Sequence, residues 1–169
     1  VEFVSANPTG PLHVGHGRGA AVGDSLSRLL DWAGYDVSKE YYINDVGNQM
    51  NNLGRSTELR YQQELGKEVE FPEDLYQGAY IGDIARAVIE KEGDRFLSSD
   101  NGDSLGYFRK VSSDSILDGI KQDLQAFRVE FDQWFSEQTL HDSGKVDHAI
   151  QWLRDKGFVY DKDGATWLK

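Results

Sequence analysis

The fold is decided by residues 6–19, which read ANPTGPLHVGHGRG. The apolar residues of the preceding segment, 1–5, predict a short buried strand. The two prolines of the stretch end that strand, because the residue before a proline is pushed out of the helical conformation. From about Gly15 onward, apolar residues recur at helical spacing until Ala33 and Gly34, where a glycine closes the helix. The chain therefore begins as a strand, a turn and a helix.

A helix that begins at such a turn is suited to hold a phosphate. Its first backbone N–H groups lack intrahelical partners, and the helix dipole adds a partial positive charge at this end. Glycines at the turn let a ligand approach the backbone closely. His13 and His16 flank this opening.

Three interpretations of the two histidines compete on residue spacing. Residues 15–20, GHGRGA, match the dinucleotide fingerprint G-x-G-x-x-A, but roughly eight residues separate the predicted strand from the first glycine, where that fold has none. A metal site could use His13 and His16, but the chain has no cysteine, and its other histidines, His141 and His148, are distant in sequence. In the simplest interpretation, both histidines only pack and cap the start of the helix. We expect no metal site.

The surrounding residues resemble a known family. Residues 11–16, PLHVGH, resemble the HIGH-type signature of class I aminoacyl-tRNA synthetases, and residues 1–20 resemble its arginyl-tRNA synthetase form. The segment YINDVGNQ at residues 42–49 is similar to the next block of that family. Two later segments are similar too, at residues 131–137 and within 143–168. This ordered set is far more specific than a four-residue signature.

The resemblance implies an α/β fold class, the first half of the Rossmann-like nucleotide-binding fold of class I synthetases, built on a parallel sheet. We expect this half over residues 1–137, including a helical insertion at about 72–127. Residues 138–169 are expected to begin a connective insertion. It would consist of a helix and a β-hairpin.

Hydrophobic periodicity predicts the remaining elements. They are strands at 37–43 and 129–135, helices at about 46–65, from Pro72 onward, at about 105–127 and at 145–156, a loop at 98–103, and a final hairpin. Asn44 and Asp45 are predicted to cap the helix at 46–65, and Gly54 to break or kink it. Residues 112–114 are predicted to interrupt the long helix. Aromatic residues are expected to form a small core in the hairpin unit, namely Trp152, Tyr160 and Trp167.

For the complete protein, the resemblance implies ATP-dependent activation of L-arginine and transfer to tRNA(Arg). The arginine carboxylate would attack the α-phosphate of ATP and release pyrophosphate, so the protein must align substrates and stabilise charge on phosphate oxygens. His13 and His16 are the candidate catalytic residues, as hydrogen-bond donors to that phosphate. Thr9, Gly15 and Gly17 are the candidates for binding ATP, which is expected with Mg²⁺.

Ser5 and Asn7 match positions expected to hold the amino and carboxylate groups of the amino acid. Selection of arginine requires a carboxylate, because the planar guanidinium matches it with two parallel hydrogen bonds. Glu137 is the candidate, since the third predicted strand delivers it at its C-terminal end. Alternatively, Glu137 only caps the segment that follows. Glu2 and Asp45 are secondary candidates.

Composition limits the partners. The net charge of −11 has the wrong sign for a surface that neutralises a nucleic-acid backbone, so we expect no DNA partner and a tRNA contact mostly outside this chain. No apolar stretch approaches the roughly 20 residues that span a bilayer, and no signal peptide is visible, so we expect no membrane association. Absence of cysteine fits a reducing compartment. A cytoplasmic location follows from the resemblance, and a monomer is expected.

One part of the family pattern is missing. Nothing after His16 resembles the second, lysine-rich signature of class I synthetases, so we expect these 169 residues alone to be inactive and to bind ATP weakly. Two alternatives stay open. The chain could be a noncatalytic binding module derived from a synthetase, or part of another nucleotidyltransferase that uses an H-x-G-H turn for a different adenylation.

Overall fold

The computed structural model describes residues 1–97 and 104–169, so the loop predicted at 98–103 lies outside the described residues. The chain divides into two compact units, Val1–Phe135 and Ser136–Lys169. Assignment of these units to a catalytic half-domain and a connective insertion stays a prediction. No helix within the described ranges is long and apolar enough to cross a membrane.

The elements follow the predicted order of helices and strands, except that a short helix at Gln138–Asp142 was not predicted and the strand predicted at 1–5 is only a bridge. In chain order they are α1 (Val14–Trp32), β1 (Glu40–Ile43), α2 (Asn48–Glu64), α3 (Ala79–Glu92), a 3₁₀ turn (Arg95–Leu97), α4 (Ser104–Ala126), β2 (Gln133–Ser136), α5 (Gln138–Asp142), α6 (Lys145–Asp155), β3 (Val159–Lys162) and β4 (Ala165–Leu168).

The small parallel sheet is centred on β1. On one side, Glu40 forms a parallel bridge with Glu2, and its N–H donates to the carbonyl of Val1 at 2.9 Å. On the other side, β1 pairs with β2 in a parallel sheet. The strand predicted at 1–5 is reduced to this bridge, because Val4 and Ser5 have φ values of 63° and 40°, which end the extended conformation.

Helices α2, α3 and α4 share one hydrophobic core with α1 and the sheet. The buried side chains of this core are Ala20, Tyr41, Ile43, Met50, Leu53, Ile81, Ile84, Ile116, Ile120, Leu124 and Val129. Burial of apolar surface of this kind is the main favourable contribution to folding. The helices at 72–127 therefore pack within the first unit, and their assignment as an insertion stays a prediction.

Two residues predicted to interrupt helices lie instead where α2 and α4 contact each other. Helix α2 continues through Gly54, where a Cβ atom would lie 2.6 Å from Cγ of Arg109 and 2.9 Å from its backbone nitrogen. Helix α4 continues through Ser112, whose hydroxyl donates to Oγ1 of Thr57 at 2.7 Å in a buried contact. The predicted break in α2 and the predicted interruption of α4 were wrong, because each small residue lets α2 and α4 approach.

Two helix starts also differ from the prediction. Helix α2 has Gly47 as its N-cap, at φ 86° and without a side-chain cap, so the predicted cap at Asn44 and Asp45 was wrong. Helix α3 begins at Ala79, well after Pro72. The segment before α3 is held against α2 instead, since the N–H of Tyr76 donates to Oγ of Ser56 at 3.0 Å.

Helix α1 has its apolar stripe on the outside. Its buried positions hold small or polar residues, namely Ala20, Gly23, Asp24 and Ser27, and its exposed positions include Val22, Leu26, Leu29 and Trp32. Gly23 allows this close packing, because a Cβ atom there would overlap the ring of Phe3. Asp24 joins α1 to Lys39, just before β1, by an ion pair of 3.4 Å. The helical spacing of the apolar residues was predicted, but these residues do not face the core.

The second unit contains α6 and the antiparallel hairpin of β3 and β4, in which Tyr160 lies opposite Trp167. The guanidinium of Arg154 donates to both carboxylate oxygens of Asp161, and this contact lowers the pKa of Asp161 to about 2. Tyr160, Trp167 and Trp152 are about half exposed, so the expected aromatic core of this unit is absent from the described structure.

A pair of leucine substitutions tests this arrangement. Leu53→Ala removes a fully buried side chain and should lower the free energy of unfolding by about 2–5 kcal/mol. Leu29→Ala, in a side chain that is 63% exposed, should change it by less than about 0.5 kcal/mol. Urea unfolding of the 169-residue chain measures both. Equal losses would show that the apolar stripe of α1 is buried.

Candidate active site

Two histidines organise the start of α1. His13 is the N-cap residue, in an extended conformation, and its Nδ1 accepts a hydrogen bond from the N–H of Gly15 at 3.1 Å. In return, the N–H of His13 donates to Nδ1 of His16 at 3.3 Å. The two imidazole rings stack with their centroids 3.7 Å apart. This is a reciprocal capping box built from imidazoles, so both histidines cap the start of the helix, and their role as catalytic residues stays a prediction.

The capping box determines where each ring carries its proton. A nitrogen that accepts an N–H must be unprotonated, so the proton of a neutral imidazole lies on Nε2. Burial, and then the nearby His13, lowers the pKa of His16, which keeps that ring neutral at pH 7. Capping therefore leaves the Nε2–H of each ring as its hydrogen-bond donor.

The glycines near the box have different roles. A Cβ atom on Gly15 would lie 2.8 Å from Cε1 of His13 and 3.0 Å from its Nδ1, so glycine is needed for the ring to cover the helix start. At Gly17, no atom lies within 4 Å of the position that a Cβ would occupy. Gly15 thus makes room for a side chain of the protein, and Gly17 borders open space.

Hydrogen bonds hold the segment before the turn in place. Nδ2 of Asn7 donates to Oε1 of Gln49 in α2 at 2.7 Å, and Oγ of Ser5 accepts the N–H of Tyr42 in β1 at 3.0 Å. The hydroxyl of Tyr41 donates at 2.9 Å to the carbonyl of Ala6, which lies between them in sequence. Burial raises the pKa of Tyr41 to about 12, so the hydroxyl stays a neutral donor. These contacts fix Ser5 and Asn7 against β1 and α2.

A tyrosine from α3 reaches the turn itself. The hydroxyl of Tyr80 donates to the carbonyl of Thr9 at 2.7 Å. The ring lies beside Gly10, where a Cβ atom would be 3.3 Å from the tyrosine oxygen. Thr9 also donates its N–H to the carbonyl of Asn7 at 2.7 Å. The turn is therefore held both within itself and by α3.

These residues surround a cleft of about 340 Å³. It is lined by Asn7, Thr9, Gly10, Pro11, His13, His16, Tyr76 and Tyr80. The cleft brings together four predicted site residues, Asn7, Thr9, His13 and His16, while Ser5, Gly15 and Gly17 lie on adjoining backbone. Because each imidazole accepts an N–H through an unprotonated Nδ1, the lining carries no formal charge. It offers hydrogen bonds in fixed positions, which suits recognition of a polar ligand.

Glu137 belongs to the second unit, where it directly follows β2. Its Oε1 lies 3.7 Å from Nε2 of His141, and its side chain is about a quarter exposed. Glu137 is the N-cap residue of α5, where its carbonyl accepts the N–H of Leu140 at 2.9 Å, but its side chain makes no capping hydrogen bond. The role of Glu137 in arginine selection stays a prediction.

The residues at 1–97 and 104–169 contain no group of three or more His, Asp or Glu side chains placed to hold a metal ion. The histidine pair itself is engaged through Nδ1 with backbone N–H groups. The arrangement is thus suited to hydrogen bonding.

The sequence alone predicted no role in the site for Gln49, Tyr76 or Tyr80. Gln49 lies inside the segment at 42–49 that resembles a family block, so this resemblance could have indicated a role for it. Tyr76 and Tyr80 are four residues apart, which is equally the spacing of a helix face that packs on a core. Spacing alone therefore gave no reason to place them in a ligand cleft.

Comparison with known proteins gives matches along the whole chain. A family model described as "tRNA synthetases class I (R), catalytic domain" matches residues 1–169. Proteins named arginine–tRNA ligase are 58% identical in Geobacter sp. (strain M21) and 54% identical in Bacillus subtilis (strain 168), each over all 169 residues. The chain spans about 30% of the length of these relatives.

Solved structures give a similar result. A crystal structure from Campylobacter jejuni, assigned as an arginyl-tRNA synthetase, is 40% identical, with a TM-score of 0.84 over 99% of this chain and 36% of that chain. The arginyl-tRNA synthetase of Thermus thermophilus is 23% identical, with a TM-score of 0.59 over 97% of this chain and 28% of that one, and shows the shared fold.

The capping box predicts a pH dependence of stability. The pKa of His16 is lowered from 6.5 in the folded chain, so below about pH 6.5 the unfolded state binds more protons than the folded state. The stabilisation by His16 should be complete above this pH and lost as the pH falls from it through the lower pKa of the folded chain. His16→Gln keeps an acceptor for the N–H of His13 without this titration.

Urea unfolding at about pH 7.5 and 5.5 compares the two chains. The wild-type chain should lose more stability between these values than His16→Gln. Identical losses would contradict a neutral His16 in the capping box.

Proposed function

Because the chain belongs to the family of class I arginyl-tRNA synthetase catalytic domains, we propose that the full-length protein is an arginine–tRNA ligase. It would activate L-arginine with ATP to arginyl-adenylate and transfer the arginyl group to tRNA(Arg). The chain is about 30% of the length of its relatives, so this activity is proposed for the longer protein.

One observation carries the proposal most directly. His13 and His16 stand at the N-terminus of a helix, beside a neutral cleft, with their Nδ1 atoms engaged by backbone N–H groups. A helix N-terminus favours an anionic ligand, and two oriented N–H donors add to that preference. This arrangement supports a phosphate-binding role better than a role in proton transfer, since the rings are neutral donors.

In the proposed reaction, an oxygen of the arginine carboxylate attacks the α-phosphorus of ATP. The bond between the α-phosphorus and the oxygen that bridges it to the β-phosphorus breaks, and pyrophosphate leaves. The Nε2–H groups of His13 and His16 would donate to phosphate oxygens while charge on them increases. Donors that are already oriented stabilise such charge without reorganising. The protein supplies no covalent nucleophile in this step.

The adjoining residues would position the two substrates. We place ATP over the helix start, with Thr9 at the turn and open space at Gly17, while Gly15 acts by giving His13 its position. Ser5 and Asn7 would hold the amino and carboxylate groups of arginine. Because Nδ2 of Asn7 is engaged by Gln49, its Oδ1 is the atom available to accept from the substrate ammonium.

Mg²⁺ is proposed to arrive as part of the ATP complex, with phosphate and water oxygens as its main ligands. Contact with tRNA(Arg) would come mostly from other parts of the protein, because this chain has a net charge of −11. We propose a cytoplasmic, monomeric enzyme.

His16→Ala in the full-length protein tests the histidine role. Loss of one oriented donor should lower kcat of arginine-dependent pyrophosphate exchange by about 10²–10³-fold, or 2.7–4 kcal/mol, with a smaller effect on KM for ATP. The exposed His148 offers a matched control, and His148→Ala should leave kcat unchanged. The isolated 169-residue chain should show no robust exchange. A rise in KM for ATP at unchanged kcat would argue against transition-state stabilisation.

Glu137→Gln tests arginine selection. It removes the negative charge but keeps the size of the side chain, so KM for arginine should rise by about tenfold to a hundredfold, as expected for loss of a charge-assisted hydrogen bond, while KM for ATP stays constant. Glu2→Gln serves as the comparison. If arginine binding falls in Glu2→Gln and not in Glu137→Gln, the carboxylate of the first segment selects arginine and the assignment of Glu137 is wrong.

A further inference from the structure

Tyr80 connects α3 to the turn that precedes the histidines. Its hydroxyl donates to the carbonyl of Thr9 at 2.7 Å, across 71 positions of sequence. Its ring forms one wall of the candidate site cleft and also borders a separate cavity of about 170 Å³ between α3 and α4. The tyrosine therefore stands between the helical region and the cleft.

Two glycines make room for the ring of Tyr80. A Cβ atom on Gly10 would press on the phenol at 3.3 Å, and one on Gly78 would overlap the ring. Gly78 is the N-cap of α3, so its lack of a side chain lets the tyrosine fold back over the helix start. The pose of Tyr80 thus depends on two small residues that belong to different parts of the sequence.

The helix that carries Tyr80 is itself firmly anchored. Ile81 and Ile84 are buried in the core shared with α2 and α4. The segment just before α3 is tied to α2, since the N–H of Tyr76 donates to Oγ of Ser56. Burial, together with the neighbouring Tyr76, raises the pKa of Tyr80, so its hydroxyl keeps its proton at neutral pH.

We propose that Tyr80 is a positioning residue for the proposed activation reaction. By holding the carbonyl of Thr9, it sets the path of the turn that leads into the capping box of His13 and His16. The helical region at 72–127 then contributes to catalysis through the backbone of this turn. The inference rests on the proposed function for its catalytic consequence, and on the hydrogen bond for its structural part.

Tyr80→Phe removes the hydroxyl and keeps the ring. Tyr107→Phe is the matched control, because the hydroxyl of Tyr107 in α4 donates to Glu92 in α3 at 3.2 Å, away from the cleft. In ¹H–¹⁵N spectra of the 169-residue chain, Tyr80→Phe should shift the amide signals of Gly10, Leu12 and His13. Tyr107→Phe should leave these signals in place. Unchanged signals in Tyr80→Phe would overturn the proposal.

Kinetics of the full-length protein test the consequence. In Tyr80→Phe, kcat of arginine-dependent pyrophosphate exchange should fall by about 10- to 100-fold, the scale expected for misaligned groups, with KM for ATP changed less than about threefold. Tyr107→Phe should keep its kcat within about twofold. The split between kcat and KM distinguishes positioning from stability.

Other outcomes overturn the proposal. A lower melting temperature with unchanged kcat would make Tyr80 a purely structural residue. A rise in KM for ATP at constant kcat would mean that Tyr80 binds ATP directly. If the wild-type protein shows no arginine-dependent exchange, the proposed function fails, and the amide spectra decide whether Tyr80 holds the turn.

Discussion

The capping hydrogen bonds that His13 and His16 make at the start of α1 are the contacts on which the candidate site depends. Each ring accepts a backbone N–H through Nδ1, which satisfies two of the donors that a helix N-terminus otherwise leaves without a partner. The same bonds place the proton of each neutral ring on Nε2. Where α1 begins and which atoms can donate to a ligand are therefore decided together. A substitution that disturbs the cap also disturbs the donors, because the same two rings provide both.

Most of the order of helices and strands could be predicted from the sequence, because periodicity depends on neighbouring residues, but the five-residue helix α5 was not predicted. The positions at which helices touch could not. Gly54 and Ser112 have the local character of helix breakers, yet each lies inside a continuous helix at the contact of α2 with α4. The partner of Ser112 is Thr57, 55 positions away. Likewise, the proline signal at Pro72 did not start a helix, because the segment is held by Ser56 of α2. In each case a tertiary contact outweighed a local preference.

Some residues of the candidate site could likewise be predicted from the sequence, and others depend on tertiary packing. Asn7, Thr9, His13 and His16 are close in sequence, so one motif and its resemblance were enough to group them. Tyr80 could not be placed there, since its contact with Thr9 depends on how α3 packs. The apolar stripe of α1 shows a related limit. Periodicity predicts that one face of the helix is apolar, but it does not predict that the small residues on the opposite face pack against this unit. Close packing by Ala, Gly and Ser leaves the larger side chains outside.

The partial positive charge of the helix N-terminus explains why neutral histidines suit the site. A helix N-terminus carries about half a positive charge, so cationic side chains placed there would be repelled in the absence of a ligand. Neutral imidazoles avoid that repulsion, and they also complete the cap, which protonation of Nδ1 would abolish. The cost is that the cleft offers no formal charge to a polyphosphate, in a chain whose net charge is −11. Under the proposed function, these residues provide direction, and Mg²⁺ together with cationic groups elsewhere in the full-length protein provides the opposing charge. Strong ATP binding and alignment of its α-phosphate would then depend on different parts of the enzyme.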